Sequence, residues 1–245
     1  MICNFIGNEP FSYAVIDNFL DVQTANKLVE EFPSYNSSIW EVNGHTYNNP
    51  LEMKRTLRDW RVFPQTTYSL FTKLCSLEIC NRIKNIFKFS ENIYPDYGLH
   101  GAGWHIHKKG DHLNIHLDYS IHPLVNLQRK YNLILYLTPD WDPSWGGGLE
   151  FWSHNIETNQ PKEKVTTIKN IFNRAIIFDT TQNSWHGISQ EISCPENVYR
   201  KSIAMYYLTD PPPSVEKRKR ALYAPLESQQ SDLDIINFIK KRAYE

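Results

Sequence analysis

The chemistry of this sequence starts at His116-Leu-Asp118. On a strand, alternate side chains point the same way, so the imidazole and the carboxylate would enter one space. One more imidazole would make a two-His, one-carboxylate set that holds a divalent metal on one face and leaves positions open on the other. His186 is placed to supply it, because Ala175-Ile-Ile-Phe178 reads as a buried strand and His186 follows after a short turn. The second feature is a cation. Arg200, Ser202, Ala204 and Tyr206 share one face of a strand, so a guanidinium and a hydroxyl point inward together. A buried guanidinium seeks a carboxylate that it can hold through two parallel hydrogen bonds. No protein carboxylate is evident at that depth, which points to a dianionic ligand. Asn132, Ile134 and Tyr136 share a face of the preceding strand, where the Tyr136 phenol meets the same ligand. His105 and His107 also share a face, and they are candidates for the pocket wall, as is Trp185 beside His186.

These side chains need a framework. Short strands are expected at 113–117, 131–137, 149–152, 166–168, 175–178 and 202–208, separated by Gly, Pro and Asp, with Gly146-Gly-Gly148 before one of them. That rhythm fits a sandwich or barrel-like jelly roll. Upstream, an edge strand is expected over Tyr13-Ala-Val-Ile16, then a helix capped by Asp21 and stopped by Pro33. A hairpin over 39–47 turning at Asn43-Gly44 and one helical stretch from about 67 to 87 follow. Beyond Pro211-Pro-Pro213, the basic run 217–220 reads as a solvated turn, and Ile235, Ile236 and Ile239 mark a closing helix. His112 and His122 read as solvated loop residues. The fold class is α+β: one domain over 1–245, with helical support at about 12–98, a jelly-roll core at about 99–210 and a tail at 211–245.

Composition narrows the function. The chain has 245 residues, 41% hydrophobic and 13% aromatic, and five of its nine His fall between His105 and His122. A net charge of −1 argues against nucleic acid as the partner. No apolar run reaches the length of a spanning helix, and the first residues lack a secretory pattern. Four Cys without a C-x-x-C pair suit a reducing cytoplasm.

The ordered set His116-x-Asp118, Tyr136, Gly-Gly-Leu-Glu at 147–150, His186 and Arg200-x-Ser202 resembles the Fe(II)/2-oxoglutarate-dependent oxygenases, within them the prolyl 4-hydroxylase-like branch. Asn18-Phe-Leu-Asp21 before the first helix is similar to the entry of that branch into its core. The resemblance implies a double-stranded β-helix with Fe(II) on His116, Asp118 and His186. It implies 2-oxoglutarate on Arg200, helped by Tyr136 and Ser202, O₂ as the oxidant, and ascorbate as a reductant. Hydroxylation of a C–H bond would accompany oxidation of 2-oxoglutarate to succinate and CO₂. The substrate it implies is a prolyl residue in a protein or peptide. A free amino acid or sugar-linked metabolite is the alternative within enzymes, and a zinc cupin-like site or a non-catalytic metal-stabilised binding module lies outside them. The segment Trp104-His-Ile-His107 departs from the branch, which often has Tyr near there.

Overall fold

The computed structural model describes residues 3–218 and 220–244. Lys219, in the middle of the basic run, lies outside them. In chain order the elements are β1 (Phe5–Gly7), β2 (Tyr13–Ile16), α1 (Val22–Glu31), α2 (Ile39–Val42), β3 (Gly44–Asn49), β4 (Glu52–Leu57), α3 (Gln65–Leu74) and α4 (Leu77–Phe87). Then come β5 (Tyr94–Pro95), β6 (Gly103–His107), β7 (Leu113–Leu117), β8 (Gln128–Tyr136), β9 (Leu149–Asn155) and β10 (Gln160–Ile168). The chain closes with β11 (Ala175–Asp179), β12 (Trp185–Ile188), β13 (Arg200–Thr209), β14 (Leu222–Tyr223) and α5 (Leu233–Tyr244).

One curled antiparallel sheet of the jelly-roll type runs in the order β1-β2-β11-β8-β13-β6-β4-β7-β12-β9-β10. Strand alternation divides its faces. On β8 and β13, Leu133, Leu135, Ile203, Met205 and Tyr207 pack outward against Leu28 and Phe32 near α1 and Leu70, Phe71, Ile79 and Ile83 of α3 and α4. Asn132, Ile134, Arg200, Ser202, Ala204 and Tyr206, at the alternate positions, line a cavity inside the curl. The helices thus seal one side of the strands and leave the other for the site.

Local chemistry sets the helix ends. The Asp21 carboxylate accepts from the Thr24 N–H at 2.9 Å, as an N-cap should. The Glu31 carboxylate accepts from the N–H groups of Thr66 and Thr67 at 3.0 and 2.7 Å, so the end of α1 caps the start of α3. The helical stretch expected over 67–87 is two helices, broken at Cys75-Ser76, where the Ser76 hydroxyl accepts from the Ile79 N–H and starts a new helix.

Two other expectations change. Tyr13–Ile16 is not an edge strand, since β2 is paired on both sides, with β1 and β11. Asn43-Gly44 is not a hairpin turn: Asn43 closes the one-turn α2, its N–H donating to Ile39 O at 2.9 Å. The hairpin joins β3 to β4 through Pro50-Leu51, where the Asn49 side chain accepts from the N–H groups of Leu51 and Glu52 at 3.0 and 3.3 Å. Asn43 and Gly44 still border the cavity, as do β3 and β4.

Candidate active site

Register brings the metal-ligand candidates together. β12 pairs with β7 so that His186 stands opposite His116, and Asp118 follows β7 with the same parity as His116. Gly187 makes this approach possible, because a Cβ there would lie 2.7 Å from Leu113 O and 2.8 Å from Asn114 O. Ligand atoms of His116, Asp118 and His186 lie within 4.8 Å of one another, and all three residues are buried. His116 Nε2 is 3.8 Å from Asp118 Oδ1, and His186 Nε2 is 3.9 Å from Asp118 Oδ2.

The imidazoles are set for a metal. His116 Nδ1 faces Asn114 O at 2.9 Å and His186 Nδ1 faces Ser184 O at 2.7 Å. Each backbone carbonyl therefore claims the Nδ1 proton and leaves the Nε2 lone pair directed at the shared space. Burial pushes the pKa of His116 down to about 3, with His186 beside it adding to the effect, and burial lowers His186 as well. Both rings are neutral and available as ligands. Burial alone would raise Asp118, but Arg129, His186 and His116 outweigh it and hold the carboxyl below its ordinary value. Asp118 Oδ2 is buried with no hydrogen-bond partner among the described residues. A carboxylate oxygen and two Nε2 atoms facing one point form a donor set that fits a divalent cation.

Asp118 is held from three sides. Its Oδ1 is 3.3 Å from Arg129 Nη1 and receives the Tyr206 hydroxyl at 3.4 Å, while its carbonyl accepts from Arg218 Nη2 at 2.8 Å. Asn132 Nδ2 donates to the same Tyr206 hydroxyl at 3.0 Å, which links a pocket residue to the ligand. Arg129 lies between the rings of Tyr119 and Tyr206, 3.4 and 3.3 Å from their centroids, and is 2% exposed. Sequence reading missed Arg129, because alternation puts it with Tyr131 and Leu133 on the outer face. An extra residue, Lys130, between the pairs Tyr131–Tyr207 and Arg129–Leu208 reverses the parity and turns Arg129 inward.

The cationic end of the cavity is built on β13. Ser202 stands opposite Tyr136 on β8 and opposite His105 on β6, and Arg200 stands opposite His107. Arg200 is 3% exposed; its Nε donates to Gly147 O at 2.6 Å and its Nη1 to Ser202 Oγ at 3.4 Å. No carboxylate pairs with it among the described residues, and burial lowers its pKa. The Tyr136 ring lies 5.0 Å from the guanidinium, and its hydroxyl accepts from the Leu149 N–H at 3.1 Å. Tyr136 is fully buried behind Arg200, deeper than Asn132 and Ile134. His105 Nε2 and both ring nitrogens of His107 are buried without partners among the described residues. Burial, with Lys54 and Arg200 adding to it, pushes His105 down to about 3, and burial and Arg200 hold His107 well below its ordinary value. A buried guanidinium without a carboxylate, beside orphaned imidazole nitrogens, fits an anionic ligand such as 2-oxoglutarate.

The three ligand candidates, Arg129, Tyr206, Arg200, Ser202, His105 and His107 meet in one cavity of about 910 Å³, which neither Tyr136 nor Arg218 lines. Nor does Trp185. It neighbours His186 on the strand, so it points to the opposite face, fully buried, with its indole N–H donating to His154 Nδ1 at 3.0 Å. His122 is not solvated either; it is 3% exposed and faces Asp96 at 3.5 Å. In the basic run, Arg218 folds inward onto Asp118, whereas Arg220 is exposed and borders the cavity. Glu52 and Lys54 of β4 and Arg242 of α5 also line it and were not foreseen.

Residues 102–208 match the family described as the 2OG-Fe(II) oxygenase superfamily. A curated relative, prolyl 3-hydroxylase OGFOD1 of Mus musculus, is 34% identical over 88 residues, 34% of this chain and 16% of that protein. The chain thus matches about a sixth of the length of that relative. The fold is similar to that of a prolyl-4-hydroxylase from Pseudomonas putida, with a TM-score of 0.54, 12% identity, and 82% of this chain and 93% of that chain covered. It is also similar to that of HygX from Streptomyces hygroscopicus, solved with nickel, 2-oxoglutarate and hygromycin B, with a TM-score of 0.50, 11% identity and 84% of each chain covered. The matched residues include His116, Asp118, His186 and Arg200, so the similarity to the 2OG-Fe(II) oxygenase superfamily covers the whole candidate site.

Proposed function

We propose that the chain is an Fe(II)- and 2-oxoglutarate-dependent dioxygenase that hydroxylates a prolyl residue of a protein or peptide. One observation carries this reading: a buried His-Asp-His set and a buried, carboxylate-free arginine open into the same cavity. Iron and 2-oxoglutarate together supply the oxidising chemistry, in which O₂ is reduced, 2-oxoglutarate becomes succinate and CO₂, and a C–H bond gains oxygen. His116, Asp118 and His186 would hold the iron. Arg200 and Ser202 would hold the distal carboxylate, with Tyr136 positioning the guanidinium and His105 and His107 contributing N–H donors. Arg129 and Tyr206 position Asp118 through the oxygen that faces away from His186. The floor of helices and the inward-facing strands exclude water from the reacting atoms.

The prolyl assignment draws on the mouse relative and on the volume of the cavity, about 910 Å³, which exceeds what 2-oxoglutarate fills. The whole of 1–245 acts as one oxygenase domain. The protein works in the cytoplasm, a placement supported by its four free cysteines, three of them buried. No helix among the described residues is long and apolar enough to cross a membrane. The reading is tested by mass spectrometry of prolyl peptides and small metabolites incubated with the protein, iron and 2-oxoglutarate. A one-oxygen gain on proline is expected. The same gain on a metabolite, with none on peptides, would overturn the prolyl assignment.

A further inference from the structure

The cavity is far more cationic than the chain. The protein has a net charge of −1, yet six guanidinium or ammonium groups line this one cavity against two carboxylates, Glu52 and Asp118. Several have assigned partners. Arg129 faces Asp118, Arg200 awaits 2-oxoglutarate, and Arg242 lies 2.5 Å from Glu52. An Fe(II) ion and a 2-oxoglutarate dianion cancel each other's charge, so loading the site leaves the excess in place.

The unassigned cations sit together by construction. Glu52, Lys54, Thr56 and Arg58 occupy alternate positions along and just beyond β4, and all four line the cavity, while Arg55 and Leu57 face the other way. Lys54 is 13% exposed and must share Glu52, at 3.3 Å, with Arg242. Lys54 lines the same cavity as His105, His107, His116 and His186. Arg58 is exposed and contacts His100 at 2.8 Å, and Arg220 is exposed on the approach to β14; neither has a carboxylate partner among the described residues. A concave wall with an excess of one sign of charge attracts and orients ligands of the other sign.

Building on the prolyl hydroxylase reading, we infer that the substrate is an acidic peptide, whose Glu or Asp side chains flanking the target residue dock on Lys54, Arg58 and Arg220.

The test uses three labelled prolyl peptides that differ only in flanking residues, Glu, Gln or Lys. Their binding to the full chain loaded with Mn(II) and 2-oxoglutarate is measured by fluorescence anisotropy without O₂, and their oxidation is measured separately with Fe(II) and O₂. The Glu peptide is expected to bind about tenfold tighter than the Gln peptide at low salt, with the gap closing as salt rises. Lys54→Gln, Arg58→Gln and Arg220→Gln together are expected to shrink the gap to about threefold or less. Equal binding of the three peptides, or tighter binding of the Lys peptide, would overturn the inference. A Glu peptide that binds selectively but gains no oxygen would uphold the acidic docking wall and refute the prolyl reading. Equal oxidation and equal binding of all three would do the reverse.

Discussion

Replacing Arg200 by Met separates a ligand-binding cation from a structural one. In the protein, Arg200 is 3% exposed and bonds to Gly147 O and Ser202 Oγ, with no carboxylate partner among the described residues. An uncompensated buried charge costs several kcal/mol in solvation, and only part of that returns through two neutral acceptors. Removing the charge relieves this cost, while losing the bond to Gly147 O costs about 1–3 kcal/mol if that oxygen finds no substitute. The two effects oppose each other, so the ligand-free Arg200→Met protein should keep its stability within about 2 kcal/mol. Binding of 2-oxoglutarate should lose its charge partner outright. Truncating one member of a buried, hydrogen-bonded charge pair costs about 2–5 kcal/mol, or roughly a 30-fold to 4,000-fold weaker dissociation constant. Calorimetric titration of 2-oxoglutarate into the Mn(II) protein without O₂ reads the second effect, and urea unfolding of the ligand-free protein reads the first. Affinity within threefold of the wild type would refute the role of Arg200. A loss of about 4 kcal/mol in ligand-free stability would show instead that the guanidinium has an internal ion-pair partner.

Other expectations follow from the same geometry. His116→Ala should weaken Mn(II) binding more than about 100-fold in a metal titration, because neither remaining ligand has a replacement at that position; unchanged affinity would remove His116 from the ligand set. Gly147 has φ +71°, and a Cβ there would lie 3.0 Å from Arg200 Cδ. Gly147→Ala should therefore cost about 1–2 kcal/mol in stability and weaken 2-oxoglutarate binding by displacing Arg200, and wild-type binding would count against that contact. Asp17 meets Arg174 through two bonds, at 2.5 and 2.9 Å, and the hydrogen bonds to Arg174 lower its pKa despite partial burial. A lowered carboxylate stabilises the fold above its unfolded pKa and ceases to do so as pH falls through the folded value. Arg174→Gln should cost up to about 1 kcal/mol at pH 7 and progressively less below about pH 4 in urea unfolding; a penalty that persists at pH 2 would contradict the pairing.

That the metal and cosubstrate candidates cluster was legible because strand alternation decides which way they point. His116 and Asp118, and Arg200 and Ser202, each stand two positions apart, and the β7–β12 register brings His186 to the first pair. The same rule explains Trp185: next to His186 on one strand, it has to face away from the cavity. Arg129 was hidden by a bulge, since one extra residue reverses parity and the sequence around Lys130 carries no Gly or Pro to announce it. Lys54 and Arg58 were hidden because Glu52-Met-Lys-Arg-Thr-Leu57 has charge on both faces of the strand and no apolar alternation. The break at Cys75-Ser76 escaped because apolar spacing continues through it on both sides, and only the Ser76 cap marks a new start.

The most direct measurement is conversion of 2-oxoglutarate by the purified protein in air, with succinate and CO₂ counted as Fe(II) is added or withheld. Succinate and CO₂ should form in equal amounts only with Fe(II), and formation should be lost in His116→Ala and His186→Ala. Turnover that persists without Fe(II), or in either His variant, or its absence from the iron-loaded wild type even with prolyl peptide and ascorbate present, would contradict an iron oxygenase built on these residues.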